Sequence, residues 1–147
     1  MFFGMIVLVL ILDQASKIAV CLSMYPGESV PLLPPVLYLT CVHNSGAAFG
    51  MFAHQTTMLI IISLVLVAGI FLGYRKLPLD RILIRCGAAL IIGGALGNLL
   101  DRLRLGYVVD FLDLRFWPVF NLADSAIVAG VCLLIWDLFR GDLRIKN

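Results

Sequence analysis

Charge is scarce in this sequence: Asp, Glu, Lys and Arg make up 14% of its 147 residues, against 62% hydrophobic residues. A water-soluble domain of this size would lack the polar residues to cover its surface, and the mean hydropathy of +1.05 is far from ordinary soluble usage. The formal charge is only +2, and the basic residues are scattered at the ends of apolar runs. That leaves no positive stripe for nucleic acid, which is excluded as a partner. His43 and His54 are the only histidines, with no HExxH or comparable ligand cluster around them, so no metal is expected. Cys21, Cys41, Cys86 and Cys132 show no CxxC spacing. In apolar stretches such thiols act as small hydrophobes, and no zinc site or disulfide framework is indicated. There is no internal repeat and no low-complexity tract.

What is present is apolar sequence in long runs. Backbone groups in hydrocarbon must pair within their own segment, so runs of about 20 apolar residues read as membrane-spanning helices. Four occur: Phe2 to Leu22, Thr57 to Tyr74, Ile82 to Leu100 and Pro118 to Phe139. The expected fold is therefore a membrane α-helical one, a four-helix bundle forming a single integral membrane domain over residues 1–147, read as a monomer. The first run has no basic residues before it, and Asp13 and Lys17 interrupt it, so it reads as a retained helix and not as a cleaved signal peptide. Ile18-Ala19-Val20-Cys21 has the outline of a lipidation box, but Val20 is too bulky before the cysteine.

The connector from Gly73 to Arg85 carries Arg75, Lys76, Arg81 and Arg85, and the C-terminal end carries Arg140, Arg144 and Lys146. The positive-inside rule puts both in the cytoplasm, and with them both chain termini. The connector from Ser23 to Gln55 has no Lys or Arg, which suits the outer face, although Arg102, Arg104 and Arg115 in the other outer connector weaken the contrast. Pro26, Pro31, Pro34 and Pro35 punctuate its first half, Val36 to Val42 is rich in β-formers, and Asn44-Ser45-Gly46 supplies a turn. A small β-structured cap over residues 23–55 is expected, joined by a short extended piece at Gly106 to Phe111. Phe116-Trp117-Pro118 adds aromatic residues suited to the membrane interface.

Ionisable residues inside spans are costly and mark function. Asp13 and Lys17 stand four apart in the favourable order, either shaping a site or neutralising each other to buttress the bundle. Asn98, Asp101 and Arg102 share one face at the outer end of the third run, as a polar wall for a substrate backbone or as a helix-end Asp101–Arg102 pair. Gly93 and Gly97 in the same run allow close helix packing. In the fourth run Asn121, Asp124 and Ser125 repeat that spacing. Counted from Pro118, Asp124 lies ~9 Å along the helix, too deep for a short side chain to reach water. No base in this run neutralises it, so it is either a protonated structural acid or faces a polar cavity with a partner. Asp110, just before the run, is the candidate partner. Two adjacent carboxyls resist ionising together, so one keeps a proton while the other activates water.

Five successive segments then resemble the motifs of the bacterial prolipoprotein signal peptidases, the signal peptidase II family. They are Asp13-Gln14-Ala15-Ser16-Lys17; Asn44-Ser45-Gly46-Ala47-Ala48-Phe49; Gly93 to Asn98 with Asp101-Arg102; Gly106 and Val108 with Asp110-Phe111; and Phe120 to Ser125. The resemblance implies an aspartyl endopeptidase of the bacterial cytoplasmic membrane. It would cut diacylglyceryl-modified prolipoproteins on the N-terminal side of the lipidated cysteine, near the outer face, without metal or cofactor. It implies Asp110 and Asp124 as the catalytic pair, Asn44, Gly46, Asn98, Arg102 and Asn121 as substrate-binding or site-supporting residues, and Asp13, Lys17 and Asp101 as their polar surroundings. It also implies a substrate-gripping β-cradle. The segment between Phe111 and Phe120 is short for the family, which bears on the shape of the substrate lid.

Three other readings compete. A small proton-coupled transporter or channel subunit also needs intramembrane acids, but here the acids cluster toward one boundary and no symmetric repeat is visible. A metal-dependent hydrolase lacks ligands. A purely structural subunit would tolerate loss of both Asp110 and Asp124.

Overall fold

A computed structural model describes residues 1–46, 55–73 and 81–145, with side chains described as far as residue 140. The family-like Ala47-Ala48-Phe49, the end of the second run at Tyr74, and His54, Arg75, Lys76 and Lys146 lie outside the described residues. Four helices form where the apolar runs lie: α1 (Phe2–Ser23), α2 (Thr56–Gly73), α3 (Ile82–Leu105) and α4 (Leu122–Ile145). All four are long and apolar enough to cross a membrane. Three strands, β1 (Ser29–Leu33), β2 (Leu37–Asn44) and β3 (Val108–Asp113), form an antiparallel sheet in that order.

α3 is the helix the others pack around. Of its most apolar stretch 61% is buried, against 22% in α1 and α4 and 6% in α2. Hydrophobicity alone cannot hold helices together in lipid, so backbones must approach closely, and small residues on α3 permit it. The expected close approach at Gly93 and Gly97 is present: a Cβ on Gly93 would meet Val9 of α1 at 2.8 Å, and one on Gly97 would run into the Asp13 carboxylate. Two further contacts were not foreseen. Gly87 and Gly130 face each other's carbonyl oxygens across α3 and α4, and Gly94 lies against the carbonyl oxygen of Ala123. Because Ala123 is backbone at the start of α4, Gly94→Ala must push that helix end away. It is expected to cost ~1–3 kcal/mol in detergent unfolding; an unshifted transition would show that the helices are not in contact there.

At the opposite end from the sheet, Phe2 and Ile6 of α1 pack with Ala88, Ala89 and Ile92 of α3 and with Val67 and Ile70 of α2. Arg81 is paired there with Asp137 of α4 at 2.8 Å, an acid the sequence reading passed over. The sheet is fastened to the bundle by Val20 of α1 against Cys41 and Phe111. On its exposed side Arg115 lies over the Tyr38 ring at 3.7 Å and donates to Ser29 Oγ at 2.8 Å. Thr40 Oγ1 donates to Asp113 Oδ2 at 2.7 Å, and the Arg115 N–H to Asp113 Oδ1 at 2.8 Å. Burial by itself would raise the Asp113 carboxyl, but these donors and the nearby guanidinium hold it below the usual carboxylate range. They also hold Arg115 at φ 67°, a left-handed backbone that few L residues adopt.

Helix boundaries differ from the sequence reading in two places that matter for the site. α3 continues past Leu100 to Leu105 and is closed by Gly106 at φ 81°, whose N–H bonds the Arg102 carbonyl at 3.1 Å. Asp101 and Arg102 are thus helical. α4 begins at Leu122 and not at Pro118. Phe120 instead runs beside β3: its N–H donates to Leu112 O at 3.0 Å, and its carbonyl accepts from Leu112 N at 2.7 Å. Those backbone bonds withhold Phe120 from the helix, so Asp124 lies in the first turn of α4 and not ~9 Å inside it.

Candidate active site

The start of α4 is built as a reciprocal cap. Asn121 precedes the first helical residue; its Oδ1 accepts the Asp124 N–H at 2.9 Å, while Asp124 Oδ2 accepts the Asn121 N–H at 3.3 Å. Two orphan donors of the helix end are satisfied, and the Asp124 side chain is fixed by the same bonds. A third orphan donor, Ala123 N–H, goes to Asp13 Oδ1 of α1 at 3.0 Å. The remaining oxygen of Asp124 accepts Asn98 Nδ2 of α3 at 2.8 Å.

Asp110 comes to the same place on β3. The antiparallel register sets Asn44 opposite Val108, and Asn44 Nδ2 donates to Asp110 Oδ2 at 2.8 Å. Its own Oδ1 accepts Gly46 N at 2.9 Å, which shapes the expected turn. Asn121 Nδ2 donates to Asp110 Oδ1 at 2.6 Å and lies 3.1 Å from Asn98 Oδ1. Asn121, itself fully buried, therefore touches both acids, through its backbone at Asp124 and its amide at Asp110. Asp110 and Asp124 line one cavity of about 150 Å³ with Asn44, Gly46, Asn98, Arg102, Val108 and Val119. At about 30 Å³ per molecule, several waters fit such a space. Burial, and after it the neighbouring Asp124 charge, push the Asp110 carboxyl up to about 7, against the pull of the Asn44 and Asn121 amides.

Behind the cavity lies a buried charge cluster. Lys17 Nζ is 2.9 Å from Asp13 Oδ2, 2.8 Å from Asp101 Oδ2 and 3.0 Å from Asn98 Oδ1, so each of its three protons has an acceptor. Gln14 Nε2 donates to Asp101 Oδ1 at 2.9 Å, and Val109 N to Asp101 Oδ2 at 3.2 Å. One ammonium and two carboxylates thus join α1, α3, β3 and α4. The expected Asp13–Lys17 pair is present, in the supporting position. The Asp101–Arg102 pair is not what forms: Asp101 turns to Lys17, and Arg102 Nη2 donates to Gly46 O at 3.3 Å. Successive residues on a helix point about 100° apart, which sends one into the bundle and the other toward the cavity.

Of the residues singled out in the sequence, Asp110, Asp124, Asn44, Gly46, Asn98 and Arg102 line the cavity, Asn121 sits beneath it, and Asp13, Lys17 and Asp101 stand behind. Gln14 was quoted only as part of a motif, yet it ties Asp13 and Asp101 together. A polar amide inside an otherwise apolar run was the available signal. Val119 on the cavity wall carried none.

Residues 5–140 match the family described as signal peptidase (SPase) II. The chain belongs to that family. It is 51% identical over 138 residues to a lipoprotein signal peptidase of Pelotomaculum thermopropionicum, covering 94% of this chain and 91% of the relative. It is 54% identical over 131 residues to that of Moorella thermoacetica, covering 89% and 87%. Two solved bacterial membrane enzymes share the fold, one with a TM-score of 0.93 at 32% identity over 99% of this chain and 91% of that one. The other gives 0.86 at 33% identity over 93% and 91%. The chain is thus a multi-pass membrane peptidase of this family, and a bundle of four apolar helices with a small sheet is the fold class expected from the sequence.

Proposed function

We propose that this chain removes the signal peptide from diacylglyceryl-modified prolipoproteins, cutting on the N-terminal side of the lipidated cysteine, with Asp110 and Asp124 as an aspartyl pair. One observation carries the assignment: two carboxylates, one from a strand and one from a helix start, line a single cavity at the end of the bundle where the sheet sits. The four helices and sheet act as one monomeric domain in the bacterial cytoplasmic membrane. Arg81, Arg85 and Arg140 mark the cytoplasmic end and both termini, and the cavity lies near the outer face.

In this reading one carboxylate takes a proton from water as its oxygen attacks the scissile carbonyl. The partner carboxyl holds the substrate carbonyl oxygen and then supplies the proton to the leaving amine. Asn98 and Arg102 on the cavity wall are placed to hold substrate carbonyls. Asp13, Asp101, Asp110 and Asp124 gather at one end of the bundle, and nothing in that arrangement favours a transport path. The test is purified protein in detergent with a lipidated precursor peptide, read by mass. Two fragments divided before the lipidated cysteine are expected, and an intact peptide after long incubation would sink the proposal.

Burial pushes the Asp110 carboxyl up to about 7, and in this reading its proton belongs to the working form, so kcat/KM should fall on the alkaline side near pH 7, where Asp110 loses it. The Asn44 amide stabilises the ionised form. Asn44→Ala should therefore move that limb upward by roughly one unit, and a limb that stays or moves down would refute the role given to Asn44.

A further inference from the structure

A second crevice opens between α1 and the outer part of α3. It has a volume of about 170 Å³ and shares no lining residue with the cavity of Asp110 and Asp124. Its apolar wall is Ile18, Leu22, Leu105 and Val109, and its floor is formed by Gln14, Lys17 and Asp101. Arg104 and Cys21 complete the lining. The floor groups are already paired within the charge cluster. Arg104 is not: it is exposed and has neither an ion pair nor a hydrogen bond among the described residues. It also lies one residue from the end of α3, a helix long and apolar enough to cross a membrane, and the ends of such helices meet the lipid headgroups.

An apolar slot between two spanning helices, with a guanidinium at its outer rim that has no partner among the described residues, matches one kind of occupant. We infer that the crevice is a lipid site separate from the peptidase cavity. It takes an acyl chain of an anionic phospholipid along Ile18, Leu22 and Leu105, with the phosphate on Arg104. Guanidinium and phosphate match in charge and in paired hydrogen-bond geometry, and basic pockets between membrane helices are known places for anionic headgroups. The apolar wall supplies the rest of the affinity by packing.

Cys21 in the lining provides the readout. It is exposed, as is Cys132, whereas Cys86 is partly buried and Cys41 buried. In a Cys86→Ala/Cys132→Ala background, alkylation by N-ethylmaleimide reports on Cys21 and is followed by intact mass in neutral detergent. Adding phosphatidylglycerol at roughly ten times its Kd should slow alkylation about tenfold by mass action, and Arg104→Gln should remove most of that protection. Inorganic phosphate alone should not protect. The inference is overturned if phosphatidylglycerol leaves the rate unchanged, if Arg104→Gln is protected equally, or if uncharged diacylglycerol with the same chains protects as well. Slowing that tracks protein concentration and not lipid would also overturn it, because the cover would then be a second copy of the chain. The measurement involves no peptide cleavage, so it stands or falls independently of the proposed peptidase chemistry.

Discussion

Asp110→Asn and Asp124→Asn should each abolish cleavage of a lipidated precursor, with kcat/KM down by roughly a thousandfold or more, while the protein still inserts into the membrane. Each carboxylate accepts on both oxygens: Asp110 from Asn44 and Asn121, Asp124 from Asn98 and the Asn121 N–H. An amide in either place turns an NH2 toward one of these donors. The variants therefore lose one hydrogen bond as well as the charge, a cost of ~1–3 kcal/mol to folding. That is why unfolding must be measured beside activity. If the two acids share one proton, the double variant should be no slower than either single one, because groups acting as a unit lose everything at the first removal. Multiplying losses, or a single variant retaining a tenth of the normal rate, would show that they do not act together.

The spans could be read from the sequence because lipid demands long apolar runs, and all four were located. Their ends could not be read so well. Pro118 suggested a helix start, but backbone bonds between Phe120 and Leu112 of β3 delay it to Leu122, and no local signal announces a pairing between segments. The strand at Leu37–Asn44 followed from β-formers, as did the extended piece carrying Asp110. That Asn44 reaches Asp110 depends on register. Asp124 was recognised by its isolation in an apolar run, and the same argument asked for a polar partner. The sequence could not say that Asn121 contacts both acids, since one contact is made by its backbone. The choice of Lys17 by Asp101, in preference to the adjacent Arg102, depends on which face of α3 meets α1. Gly94 was overlooked because a helix start, and not a side chain, lies against it.

The second large effect should come from Lys17. Its ammonium is almost fully buried between Asp13 and Asp101, both also buried. Lys17→Met keeps much of the side-chain bulk and removes the charge, leaving two carboxylates without their cation. Breaking a buried pair from one side costs about 3–5 kcal/mol, so unfolding in detergent should occur at markedly milder conditions. Asp101→Asn should be gentler, because Lys17 retains Asp13 and the Gln14 and Val109 donors lose only part of their acceptor. Removing the charges together, as in Lys17→Met with Asp13→Asn and Asp101→Asn, should recover stability relative to Lys17→Met alone, since no uncompensated ion is left inside. Activity should not recover in step. Lys17 Nζ also donates to Asn98 Oδ1, and Asn98 Nδ2 holds Asp124, so the triple variant is expected to fold with a loosened Asp124 and a lowered kcat. A triple variant with full kcat would mean that the cluster only buttresses the bundle. One that is no more stable than Lys17→Met would mean that the three charges do not balance one another.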